Sequence, residues 1–208
     1  MPLGIGPTLT TQRLILRPWR EADIEPFAAM NADPRVMRFF PRPLGRDESH
    51  AFVERIEAGF EEHGYGLWVV ERREAAGFLG FTGLLVHTFE APFTPATEVG
   101  WRFLSDAWGN GYATEAAREA LRYGFEVAGL AEILSWTSVL NEPSIRVMQR
   151  LGMHRDPAED FDHPRIPTGH ELRRHVLYRL RADEFRAQGP SAAAVLPSHG
   201  TIGRSKAG

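Results

Sequence analysis

The chain has 208 residues, which suits one domain with short appendages. It is 43% hydrophobic and 25% charged, the balance of a water-soluble globular protein, and its formal charge of −3 argues against a nucleic-acid-coating role. It has no cysteine, which removes disulfides, thiolate metal sites and any Cys nucleophile and fits a reducing, cytoplasmic setting. No apolar run reaches the ~18 residues of a membrane span. The start, Met1-Pro2-Leu3-Gly4-Ile5-Gly6, lacks a basic stretch followed by an apolar one, so no secretory signal is expected.

Residues 1–8 read as a flexible lead-in, 9–187 as the folded domain and 188–208 as a flexible tail rich in small residues. Within the domain, Arg13–Arg17 is a strand stopped by Pro18. Ala22–Met30 reads as a short helix. Asp33-Pro34 pairs an N-cap residue with a proline at the first helical position, so a second short helix is expected up to Pro41. Asp47 is expected to cap a longer helix through His63. There Phe52, Ile56 and Phe60 recur every four residues and Gly64 ends the pattern.

Leu67–Glu71, Phe78–Val86 and Thr97–Leu104 follow as strands. A helix over Tyr112–Ala128 has Ala113, Ala116, Ala117, Ala120, Leu121 and Val127 as its buried stripe. Glu132–Val139 is a strand, Pro143–Leu151 a short helix, 153–169 a long loop with three prolines, Glu171–Leu180 a last strand and Ala182–Arg186 a helical turn. The order β-α-α-α-β-β-β-α-β-α-β predicts an α/β or α+β fold, a mixed sheet flanked by helices.

The chemistry concentrates in residues 98–116, where a strand feeds Trp108-Gly109-Asn110-Gly111-Tyr112-Ala113-Thr114 and the turn opens a helix. Glycines at 109 and 111 let successive backbone N–H groups face one concavity, and the helix start adds uncommitted N–H groups and a positive dipole end. That combination suits a pyrophosphate. The glycines by themselves also fit a plain strand–turn–helix connection. A Walker A loop is absent, and the dinucleotide fingerprint fails because Thr114 stands where its third glycine belongs.

A second segment, Ser135 to Met153, runs from a strand end through Asn141-Glu142-Pro143-Ser144 into a helix closed by Leu151-Gly152-Met153. The two segments together resemble the GNAT superfamily of acyl-CoA-dependent N-acetyltransferases. Trp108-Gly109-Asn110-Gly111-Tyr112-Ala113 matches the family's glycine loop except at its first position, and Asn141-x-x-Ser144 with Leu151-Gly152-Met153 matches its downstream signature. Together with Leu14-Ile15-Leu16-Arg17-Pro18 the pattern looks most like the RimJ/RimL branch, over about residues 9–182.

The resemblance implies a GNAT-like, splayed central sheet and acetyl-CoA as cosubstrate, with no metal. Amides of Gly109, Asn110, Gly111, Tyr112, Ala113 and Thr114 would hold the pyrophosphate, with Trp108 leading into the loop. Backbone groups of Trp101 and Phe103 would pair with the pantetheine arm in a gap between strands 97–104 and 132–139, and Asn141 would bond it by side chain. The acceptor would be a primary amine, on a protein N-terminus or a small molecule. The chain would be a monomer or homodimer with no nucleic-acid or membrane partner.

Direct attack by a neutral amine needs a base, and Glu98 is the candidate. An ion pair or a strand-end cap is its plainer role. Many GNAT enzymes carry a tyrosine seven residues after the asparagine as general acid. Met148 stands there, and Ser144 is the substitute suggested by the RimJ/RimL resemblance, its plainer role being a helix cap. The Phe103 N–H is the candidate to polarise the thioester carbonyl.

The eight histidines are scattered, with no metal-binding spacing. Phe161-Asp162-His163-Pro164-Arg165 either roofs an acceptor site or forms a surface turn. Arg173-Arg174-His175 reads as an exposed strand face, and Phe39 and Phe40 as core with a smaller role in lining a groove. A non-catalytic acyl-CoA-binding module and an antibiotic- or polyamine-type acetyltransferase are the alternatives.

Overall fold

The computed structural model describes residues 3–189. Its elements are β1 (Leu9–Thr10), β2 (Leu14–Arg17), α1 (Ile24–Ala32), α2 (Arg46–His63), β3 (Leu67–Arg72), β4 (Gly80–His87), β5 (Ala96–Phe103), α3 (Tyr112–Glu126), β6 (Glu132–Ser138), α4 (Glu142–Arg150), β7 (Phe161–Asp162), β8 (Arg174–Arg181) and α5 (Ala182–Ala187). One sheet holds all eight strands in the order β1-β2-β3-β4-β5-β6-β8-β7. Every pairing is antiparallel except β5 with β6, which α3 connects as a crossover. The tail from 190 on lies outside the described residues. Near the other end, the Ile5 N–H donates to Glu57 and the Trp68 indole N–H to the Pro7 carbonyl, so these residues are tied to the body.

The sheet is covered on two faces. One face of β4 and β5 carries Leu84 and Val99 and packs on α3 through buried Ala116, Ala117, Ala120, Leu121 and Phe125. Gly124 brings that helix close. A Cβ there would sit 2.8 Å from Leu84 Cδ1 and 2.7 Å from Ile133 Cδ1. The opposite face, with Phe81 and Arg102, packs on α1 and the first half of α2. Trp19, Phe27, Phe52, Phe78 and Phe81 form an aromatic cluster there with centroids 4.9–6.5 Å apart. A buried Arg17 joins Asp23 at 2.7 Å and Glu71 at 2.8 Å, fixing β2 to β3 and to the entry of α1.

Several expectations are corrected. No helix forms over 33–41. The Asp33 carboxylate accepts from Arg35 N and from its guanidinium, so its capping capacity is spent locally. A single turn closes through Met37 N to Asp33 O and is not propagated. Asp47 lies inside α2 rather than capping it, because Glu48 reaches back to the Gly45 N–H at 3.0 Å and starts the helix two residues earlier. Val127 is 60% exposed, having turned out at the end of α3, and Phe125 fills the stripe instead. The last strand begins at Arg174, since residues 171–173 turn to let β7 pair with Arg174 and His175. Buried His175 removes that triplet from a simple exposed face.

Candidate active site

The site begins with the register of β5. Leu104 N donates to Leu79 O, so even-numbered residues of β5 bond to β4. By alternation Val99, Trp101 and Phe103 turn their N–H and C=O groups toward β6. Yet β6 meets β5 at one register only, Glu98 opposite Leu134. Past Glu98 the two strands diverge, and β6 spends its other edge on β8 from Glu132 to Ser138. The expected gap between 97–104 and 132–139 is therefore present, and it exposes main-chain groups on its β5 side.

At the wide end stands the glycine loop. Gly109 and Gly111 both have φ of +77°, a conformation that favours glycine. Gly111 caps α3 without a side-chain bond, and the first helical bond runs from Glu115 N to Gly111 O. The N–H groups of Tyr112, Ala113 and Thr114 are therefore left for an anion, at the positive end of a 15-residue helix.

The loop is braced from the turn between β1 and β2. Glu115 accepts from Thr11 Oγ1 at 2.6 Å, Arg13 N at 2.9 Å and Arg13 Nε at 2.6 Å. Arg13 in turn donates to Asn110 O at 3.0 Å and lies over the Tyr112 ring at 5.0 Å. Asn110 turns its own amide back to Ala107 O and Trp108 O. Trp108 is 52% exposed, and its indole N–H donates to Phe103 O at 3.0 Å. The Phe103 carbonyl is thus engaged within the protein.

At the narrow end, Glu98 Oε2 approaches His87 Nε2 at 2.7 Å, across the β4–β5 pair. The ring N–H does not point at the oxygen, so this is a close polar approach and the nitrogen has no hydrogen bond. Three residues past the end of β6, and well beyond the level of Glu98, Asn141 caps α4. Its Oδ1 accepts from Ser144 N at 3.3 Å, and its Nδ2 donates to Thr137 Oγ1 at 2.9 Å and Ser144 Oγ at 3.1 Å. The cap of α4 is therefore Asn141 and not Ser144. Ser144 Oγ accepts one bond and keeps its own proton to give.

These parts line one groove of about 1270 Å³. Every candidate residue borders it except Asn110, which folds back on the loop. Phe39 and Phe40 border it too, Phe40 with 39% exposure, so neither is simple core. The groove also holds residues that the sequence did not single out, among them His87, Arg102 and Trp136. Trp136 belongs to a second apolar cluster with Phe89, Leu134 and Leu177. His163, in the 153–169 loop, packs 5.1 Å from Phe89 and 5.0 Å from His175. Burial, with His175 and nearby arginines, pushes its pKa down to about 4, and burial lowers His175 as well. Among the described residues no group of three or more His, Cys, Asp or Glu could hold a metal ion, and no helix is long and apolar enough to cross a membrane.

An acetyltransferase (GNAT) domain model matches residues 13–154. The chain belongs to the GNAT acetyltransferase family. It is 36% identical over 204 residues to the FsC-acetyl coenzyme A-N(2)-transacetylase of Aspergillus fumigatus, covering 92% of this chain and 83% of that protein. A GNAT-family acetyltransferase structure from Bacillus anthracis is 26% identical with a TM-score of 0.71, covering 86% of this chain and all of that one. The spermidine N-acetyltransferase of Vibrio cholerae, solved in complex with CoA and spermine, shares the fold at a TM-score of 0.67 and 16% identity, covering 85% of this chain and 99% of that one. This GNAT protein is an acyltransferase, and the fold uses acetyl-CoA. Its uncommitted amides and open strand edge suit a diphosphate with a slender amide-bearing arm.

Proposed function

We propose that this protein transfers an acetyl group from acetyl-CoA to a primary amine of a protein N-terminus or a small molecule, in the manner of the RimJ/RimL branch. The observation that carries this reading is the single β5–β6 register at Glu98. It sets a carboxylate where the gap opens, with the glycine loop at the far end. Amides of Gly109 and of 111–114 hold the diphosphate, and Trp101, the Phe103 N–H and the β6 terminus face the arm.

The reaction needs no covalent enzyme intermediate, and with no cysteine in the chain an acetyl-Cys route is absent. The amine nitrogen forms a bond to the thioester carbonyl carbon, the C–S bond breaks, and the sulfur leaves as a thiol after taking a proton. Glu98 accepts the proton that the amine loses, directly or through water. Ser144, whose Oγ already accepts from Asn141, donates a hydrogen bond to the leaving sulfur and relays to it a proton from solvent, so that the hydroxyl is restored. An α-amine with a pKa near ~7.7–8.0 is a lighter task for such a base than lysine near ~10.4.

The names of two relatives support an amine acceptor, one an N(2)-transacetylase and the other a spermidine N-acetyltransferase. The test is a thiol-release assay over peptides beginning Ala or Ser, polyamines and small amines, beside calorimetric titration with acetyl-CoA. Binding with turnover of at least one amine is expected. Binding without any turnover makes the protein an acyl-CoA-binding module, and no binding at all ends the reading.

A further inference from the structure

Arg102 sits in the middle of the groove wall, and among the described residues no carboxylate pairs with it. It is 9% exposed, and burial lowers its pKa to about 10. Its Nη1 donates to Asn31 Oδ1 at 2.5 Å, and its Nε is buried without a partner. The guanidinium lies 4.1 Å from the centroid of Phe40, a half-exposed ring on the groove rim. Burying a cation beside a neutral amide and two aromatic rings costs more than those contacts return, since only a fraction of its five donors is used. A guanidinium kept in this state is short of a carboxylate.

Its mounting is rigid. Asn31 is fully buried, its Nδ2 donates to Ser49 Oγ, and Ser49 Oγ donates to Gly45 O at the start of α2. The head group is thereby held between β5, α1 and α2.

The location tells which ligand it serves. Glu98, Gly100 and Arg102 share one face of β5, about 13 Å from first to last Cα. Between them the floor is open, for a Cβ on Gly100 would meet nothing within 4 Å. Val99 and α3, with the glycine loop, lie on the other face. The anion that completes Arg102 is therefore not the diphosphate held at α3. The groove as a whole is basic, with six arginines and two glutamates along it in a chain of formal charge −3.

We infer that Arg102 is the acceptor's anion site, so that the preferred acceptors are amines carrying a carboxylate, with the amine placed at Glu98 and the carboxylate paired with Arg102 across Gly100. This rests on the N-acetyltransferase reading above and narrows its acceptor to amino-acid-like molecules or peptides with an acidic residue near the N-terminus.

The test compares matched acceptors by thiol release. The probes are ω-amino acids of two to six carbons against their carboxamides, and Ala-Asp-initiated peptides against Ala-Asn-initiated ones. In the unaltered protein the carboxylates are expected to lead by roughly 10- to 100-fold in kcat/KM. Arg102→Gln should bring that ratio to about one, and Arg102→Lys should restore part of it. Should Arg102→Gln not fold, the unaltered protein still decides. Butyrate should then compete with the amine acceptor, and butyramide should not. Turnover of neutral and carboxylated probes at equal efficiency overturns the inference, as does a preference that survives Arg102→Gln or inhibition by butyramide equal to that by butyrate. Failure of every amine, with acetyl-CoA bound, instead overturns the acetyltransferase reading itself.

Discussion

Replacing Glu115 with alanine removes the brace of the glycine loop. Four contacts end on this carboxylate, and they are unequal. Arg13 is half exposed at the ion pair, so that pair contributes only about 0–1 kcal/mol. The bonds from Thr11 Oγ1 and Arg13 N go to a charged acceptor that is itself mostly buried, and water replaces them in part. The total is about 2 kcal/mol, or about 4–8 °C in Tm for a domain of this size. Burial raises the Glu115 pKa, but the bonds from Thr11 and Arg13 outweigh it and hold the carboxyl below its ordinary value of 4.5. A depressed acid stabilises the fold above its unfolded pKa and loses that contribution as pH falls through the folded one. The gap between Glu115→Ala and the unaltered protein should therefore be full at pH 7 and shrink below about pH 4.5. With the loop released, acetyl-CoA should bind about 3- to 10-fold more weakly by calorimetry. Equal Tm and equal affinity would refute the brace, and a gap unchanged between pH 7 and pH 3 would refute its electrostatic origin.

Glu98→Gln should lower kcat by roughly 100-fold or more in the thiol-release assay, with calorimetric affinity for acetyl-CoA kept. Loss of cosubstrate binding in step with kcat would count against a base. Gly111→Ala should cost about 1–2 kcal/mol in urea unfolding, since its φ is +77° while the new Cβ meets only Arg13 Nη2 at an ordinary 3.6 Å. Gly111→Asn should cost less, because asparagine tolerates that conformation, and an equal loss would point to crowding instead. Glu57 is buried with Oε1 unpartnered, and burial lifts its pKa against the bonds from Ile5 and Gly4. A raised acid destabilises the fold increasingly as pH climbs above its unfolded value, so Glu57→Gln should gain Tm relative to the unaltered protein between pH 4 and pH 8. A difference independent of pH would show that folding does not shift this carboxyl.

The strand–turn–helix at 98–116 was legible because its signals are local: glycines where φ must be positive, then an apolar stripe at helical spacing. The strand–helix junction at Asn141 was legible for the same reason. What escaped depends on partners far along the chain. Asp33-Pro34 carries a sound start signal, but Arg35 takes the carboxylate that would have capped the helix. Asn141 and Ser144 are equally good caps by residue type, and only the end of β6 decides between them. Trp108 finds Phe103 O through the curl of the loop, which no spacing rule encodes. His87 and Arg102 occupy alternate strand positions that read as ordinary outward polar residues. The signal that was available for Arg102 was a charge at the same parity as Phe81's neighbours in a paired strand, visible only once the β4–β5 register is known.

A sheet riveted at one point between its fifth and sixth strands is mechanically two leaves. The five-stranded leaf carries the aromatic core and Arg102. The three-stranded leaf carries Asn141, Trp136 and His163. Whatever lies along the seam bonds to both and stiffens their relative angle, so cosubstrate occupancy should slow amide hydrogen exchange at Trp101 and Phe103 and tighten the smaller leaf as a unit.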